Sequence, residues 1–257
     1  MPSELPIASR FLFRMEIPCL YMANLEEMNE LPAECEFPNF EGLERRTKPQ
    51  EATSSVRVVR AKSVQSKSSA PQSFRVRGAW NENGLAIQFF VEGKNHPLWC
   101  SRNRPEESDR VELWVDTRNL RNVHRANRYC HRFVCLPSGA GVLGDEAFVT
   151  LFPINRARQF PNEIPNGSIR ARSQPVEKGY KLFIHFASRA LTGYDPREFQ
   201  DISLAWMLAD RDLGVRLLTA GAPLPFQEDP SLWYTFHLTR EQESNDHKGA
   251  TSDEIGA

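Results

Sequence analysis

The chain has 257 residues, of which 40% are hydrophobic and 25% charged, and 32 Lys+Arg against 33 Asp+Glu leave a formal net charge of −1. That composition is ordinary for a soluble globular protein, and the charge balance gives no global reason to expect nucleic acid or an anionic membrane as a partner. Five cysteines without a CxxC pair read as reduced thiols in a cytosolic protein rather than as a disulfide framework.

The first segment, "MPSELPIASRFLFRMEIPCLYM", carries Glu4 near its start, and Arg10, Arg14 and Glu16 interrupt its apolar stretch. A signal peptide has instead a basic start and a continuous apolar run. No apolar run approaches the roughly 18 residues that cross a bilayer, so a cytoplasmic location without a membrane partner is expected. "RFLFRMEI" reads as a strand, and residues 1–44 are assigned to an N-terminal strand region of the domain. Residues 45–70, "RRTKPQEATSSVRVVRAKSVQSKSSA", carry seven Lys/Arg against one acid, six Ser and no aromatic residue. Such a segment buries too little apolar surface to offset its ordering entropy and is expected to be a disordered basic loop.

From residue 71 the period is two. In "FRVRGAW", Phe74, Val76 and Trp80 share a face, and "WNENG" supplies hairpin-turn chemistry. "LAIQFFVEGK" follows with Leu85, Ile87, Phe89 and Val91 on one side. "RVELWVDTR" places Val111, Leu113 and Val115 inward and Glu112, Trp114 and Asp116 on the other face. "RYCHRFVC", "GYKLFIHF", "ISLAWMLAD" and "LWYTFHL" continue the alternation, and only "SRALTG" looks like a helical turn. Residues 71–240 are therefore expected to form the main body of an all-β, single-domain antiparallel β-sandwich, jelly-roll-like, with 241–257 a disordered acidic tail.

His124, Cys130, His131 and Cys135 are the residue types of a zinc site. Cys130 and His131 are adjacent in a strand, however, and the pleat sends them to opposite faces. No metal and no cofactor are expected there; His131 reads as a core histidine beside a buried thiol. The arginines from Arg102 to Arg132 are interleaved with Glu106, Glu107, Asp109, Glu112 and Asp116. A salt-bridged rim explains them better than phosphate contacts. No nucleophile elbow, P-loop, HExxH or Rossmann glycine pattern occurs. Glu112 and Asp116, four apart in a strand, lie about 13 Å apart, beyond the roughly 5–9.5 Å of glycosidase carboxylate pairs. The chain does not read as an enzyme. What remains is an aromatic and charged face. Trp99 lies in the Pro-bounded loop "NHPLWCSRNRP", and Trp114 is either a platform beside Glu112 and Arg132 or packs against another layer of the domain.

The ordered set "VRGAWNENGLAIQFFVEGK", "HPLWC", "SDRVELWVDTR" and "HRFVCLP", followed by "GYKLFIHFASRAL", "ISLAWMLADRD" and "DPSLWYTFHL", resembles carbohydrate-binding modules of family 9 and the wider DOMON-like sandwiches. The resemblance runs from about Phe74 to Leu238. It implies a sandwich that holds a terminal sugar between two tryptophans with help from charged side chains. The loop Trp of the family falls on Trp99, the strand Glu on Glu112 and an Arg of the next strand on Arg132. The second clamp Trp has only Phe226 in its place, and a polar family position before Asp210 falls on Met207. The expected ligand-binding set is Trp99, Asp109, Glu112, Trp114 and Arg132, with His124 and Arg125 as loop contacts. The expected function is non-catalytic carbohydrate binding. The alternatives are a cytosolic scaffold domain with a protein partner, and an accessory domain linked to glycoside hydrolysis or carbohydrate catabolism.

Overall fold

The period-two alternation becomes strand wherever a partner strand covers it. The computed structural model describes residues 15–38, 59–60, 74–217 and 225–240. Its strands are β1 (Met15–Tyr21), β2 (Val59–Arg60), β3 (Phe74–Asn81), β4 (Gly84–Glu92), β5 (Arg110–Asp116) and β6 (Cys130–Ala140). They continue with β7 (Glu146–Phe152), β8 (Ile169–Val176), β9 (Gly179–Ala187), β10 (Asp201–Asp210), β11 (Gly214–Leu217) and β12 (Tyr234–Thr239). Hydrogen-bonded neighbours run β7-β6-β5-β10-β12-β1-β3-β4-β9-β8, with β11 on β10 and β2 on β1. The end strands β7 and β8 approach each other, so the sheet is curled and nearly closed. The expected all-β class is observed.

The purely antiparallel expectation is corrected at one strand. β1 pairs parallel with β12, Glu16 opposite Thr235, and parallel with β3, Leu20 opposite Ala79. Parallel pairing needs a long crossover, which residues 22–73 supply. The N-terminal strand thus lies in the middle of the path. Within the basic 45–70 segment, Val59–Arg60 pairs with Met15 and Glu16; the rest of that segment and the 241–257 tail lie outside the described residues. Four strands go beyond those read from alternation: the short β2 and β11, and the two ends of the path, β7 and β8. The two end strands are only half-buried. β8 carries Pro175, which an edge position tolerates because no neighbour needs its missing N–H.

Inward-facing residues meet in one large core. Leu85, Ile87 and Phe89 of β4, Val111, Leu113 and Val115 of β5, and Leu204, Trp206 and Leu208 of β10 all belong to it. The faces read from alternation are the faces observed. The outer faces are not solvent-exposed throughout. On β5 and β10, Trp114, Ala205 and Met207 pack with Cys130, Ile154, Phe226 and Trp233 from other segments. On β3, β4 and β9, Ala79, Ala86 and Phe183 lie beneath Leu25, Leu31 and Cys35. These coverings add a partial third layer.

Candidate functional site

The loop from β4 to β5 is held by a buried charge cluster. The Lys94 ammonium lies between Asp109 and Asp210, with side-chain exposures of 5%, 1% and 0%. Asp109 Oδ2 accepts from Lys94 Nζ at 3.3 Å and from the Trp99 backbone N–H at 3.0 Å, while its Oδ1 accepts the Arg211 N–H at 2.9 Å. The Asp109 N–H in turn donates to the Trp99 carbonyl at 2.9 Å. Asp210 Oδ1 takes the N–H groups of Asp212 and Leu213 at 2.8 and 3.0 Å. One ammonium and two carboxylates thereby tie the Trp99 loop to the turn after β10. Asp109 therefore acts by positioning Trp99 and Arg211.

Trp99 sits at the surface of this assembly. The Arg211 guanidinium lies 3.8 Å from its ring centroid and that of Arg104 lies 5.0 Å away. Trp80, Trp114, Trp206 and Trp233 are buried, whereas Trp99 is half-exposed. The far end of the same loop reaches a second charged group. Glu112 is fully buried, its Oε1 bound by Arg110 Nε at 2.7 Å and its Oε2 by Arg132 Nε at 2.8 Å. Arg132 also donates to Glu106 at 2.9 Å. Glu112 therefore orients two guanidinium groups from the outer face of β5 and β6 and offers no open carboxylate of its own. Arg110 and Arg132 keep 16% and 18% of their side chains exposed. The site can supply an indole face and guanidinium N–H donors, a combination suited to a polar, hydroxylated ligand. Burial raises the Cys100 thiol above its ordinary pKa, so it is not an activated nucleophile.

Of the expected ligand set, Trp99 and Arg132 lie at the surface, Asp109 and Glu112 lie behind them, and Trp114 does not join them. The platform alternative for Trp114 is corrected: its exposure is 0%, and Phe226 meets its ring edge-on at 5.2 Å. The reason is coverage by a remote segment. Phe226 is 5% exposed and its carbonyl accepts the Trp233 indole N–H at 2.7 Å, so it fills the outer cluster rather than forming a second clamp. Met207 is buried opposite Glu112. His124 and Arg125 turn to other partners, His124 to Asp229 at 3.1 Å and Ser231 at 3.0 Å, and Arg125 to the Arg156 carbonyl at 2.9 Å. Lys94, Arg110, Asp210 and Arg211 complete the arrangement without having been singled out by the sequence. Only the Asp210–Arg211–Asp212 run gave a signal, as the polar end of "ISLAWMLADRD".

The pleat splits the His/Cys group as expected. Cys130 joins the outer cluster, whereas His131 stacks on Phe133 at 5.9 Å with an interplanar angle of 5°. Among the described residues no group of three or more His, Cys, Asp or Glu is placed to hold a metal ion. His131 Nε2 accepts the Thr192 N–H at 2.9 Å, which requires a neutral ring. Burial lowers its pKa from 6.5 to about 4. The folded state thus resists a proton that the unfolded chain accepts, and stability present above pH 6.5 is lost as pH falls toward 4. The loss amounts to about 3 kcal/mol in full. Denaturant titrations across that range should show this slope in the parent and not in His131→Leu; equal slopes would contradict the assignment.

No protein-family model matches the chain, and no curated protein matches it. Solved structures similar to it include a carbohydrate-binding module of family 9 from Caldicellulosiruptor kristjanssonii in complex with cellotriose. That structure is 14% identical, with 71% of this chain and 84% of that chain covered and a TM-score of 0.47. A second structure of a family 9 module from the same organism, in complex with glucose, is 14% identical over 70% of this chain and 84% of that one, at a TM-score of 0.48. Among the described residues no helix is long and apolar enough to cross a membrane.

Proposed function

We propose that the protein is a non-catalytic carbohydrate-binding module whose ligand rests on Trp99, with Arg110, Arg132 and Arg211 as hydrogen-bond donors. The observation that carries this reading is the half-exposure of Trp99 while the other four tryptophans are buried. A flat indole packs against the C–H face of a pyranose, and its fixed loop limits the entropy lost on binding. Lys94, Asp109 and Asp210 supply that rigidity, and Glu112 holds Arg110 and Arg132 in place. The ordered motifs from Phe74 to Leu238 favour the same ligand class. With Trp114 and Phe226 inside the outer cluster, the platform is one-sided, so modest affinity is expected.

A glycan array followed by calorimetry tests the reading. The parent should bind at least one glycan, and Trp99→Ala should lose that binding while keeping its melting transition. A parent that binds no glycan would contradict it.

One observation favours the second reading, a protein-interaction module. Val142 and Leu143 at the turn between β6 and β7 are 102% and 84% exposed. In that case a Val142→Ser, Leu143→Ser double variant should lose a captured partner that Trp99→Ala retains.

A further inference from the structure

A polar cavity lies on β8 and β9, lined by residues that the Trp99 site does not use. It measures about 440 Å³ and is lined by Glu26, Asn83, Ser168, Arg170, His185 and Arg189, together with backbone of the neighbouring turns. That volume falls in the usual range for small-molecule sites. Four separate chain segments build it, and each is fixed. Arg189 donates through Nε to Ser168 Oγ at 2.8 Å and through a second nitrogen to the Gly167 carbonyl at 3.2 Å. Arg170 donates to the Met28 carbonyl at 2.6 Å. Asn81 Nδ2 lies 3.4 Å from both oxygens of the Glu26 carboxylate.

His185 is the unusual member. It projects from the outer face of β9, opposite Ala86 of β4 and Arg170 of β8, and is 6% exposed. Its Nε2 is buried without a hydrogen-bond partner. Gly84 makes room for the ring, since a Cβ there would come within 3.0 Å of Nε2 and 2.2 Å of the Phe186 carbonyl oxygen. A buried imidazole that lines a cavity and leaves a nitrogen unpaired is costly unless something else in the site compensates it. Burial, followed by the Arg170 charge, lowers the pKa of the ring, so it adds no charge of its own at neutral pH. Two guanidinium groups therefore face one carboxylate, and the cavity carries a net positive charge beside Asn, Ser and His hydrogen-bonding groups.

We propose that this cavity binds a small hydroxylated oxyanion, of the size of a sugar acid or sugar phosphate, with Arg170 and Arg189 on the anionic group and Glu26 and Asn83 on its hydroxyls. Arginine forks suit both carboxylate and phosphate, and the probes distinguish the two sources. The six histidines of the chain allow the His185 ring resonance to be assigned by NMR, with His185→Gln as the reference. Glucuronate, glucose 6-phosphate and glucose are titrated separately into the full-length protein. Glucuronate, glucose 6-phosphate or both should move the His185 resonance saturably, with glucose inert. Arg170→Gln should weaken that binding about tenfold or more, the loss of one charge-assisted contact. Trp99→Ala should leave it intact, which separates this site from the carbohydrate site proposed above. A His185 resonance that neither oxyanion moves, one that glucose moves equally, or one whose response vanishes in Trp99→Ala would overturn the proposal.

Discussion

Lys94→Met is expected to lower the unfolding free energy by about 3–5 kcal/mol, because it leaves two buried carboxylates without their cation. Asp109 and Asp210 are 1% and 7% exposed, so both carboxylates are largely withdrawn from solvent. Their backbone donors, from Trp99, Arg211, Asp212 and Leu213, hold each carboxylate individually but do not neutralise the pair. The buried Tyr180 hydroxyl, which has no hydrogen-bond partner, lies against the same cluster and adds no compensating charge. Denaturant unfolding checks the effect. A double variant, Lys94→Met with Asp210→Asn, should recover part of the loss, since removing one carboxylate lowers the uncompensated charge. A single-variant loss below about 1 kcal/mol, the range of an exposed pair, would mean that the cluster does not hold the loop.

Trp114→Ala should cost about 3–5 kcal/mol, the usual range for truncating a fully buried aromatic side chain. Its ring meets Phe226 edge-on and lies in one buried cluster with Ile154, Ala205 and Trp233, so truncation leaves a void in the outer layer. Trp99→Ala, by contrast, removes a half-exposed ring and should stay within about 1 kcal/mol of the parent. The pair of melts separates the two tryptophans by role: one holds the outer layer on the sheet, the other faces solvent and carries the proposed binding. Equal losses in the two variants would remove that distinction.

The alternation in "LAIQFFVEGK", "RVELWVDTR" and "ISLAWMLAD" was sufficient to identify β4, β5 and β10 and to say which side chains share a face, because a strand's period is a local property. The same local rule separated Cys130 from His131. It says nothing about what covers the opposite face. Trp114 is buried by Phe226 and Trp233, more than a hundred residues further along the chain, and no pattern within "VELWVDTR" marks that contact. Lys94 was invisible for a similar reason: its partners are 15 and 116 residues away, and it reads as the polar end of a strand. Trp99 was legible from its Pro-bounded loop, but the Asp109 and Arg211 contacts that fix it are tertiary. The parallel insertion of β1 between β12 and β3 likewise follows from the whole sheet and not from "MEIPCLY" itself.

The most direct test is an indole N–H spectrum of the protein with nitrogen-15 label, recorded during titration with glucose and with cello-oligosaccharides. The five tryptophans give five signals that single substitutions assign. A carbohydrate site at Trp99 predicts a saturable shift of the Trp99 signal while those of Trp80, Trp114, Trp206 and Trp233 hold still. A parent that binds sugar by calorimetry while its Trp99 signal remains fixed would contradict it.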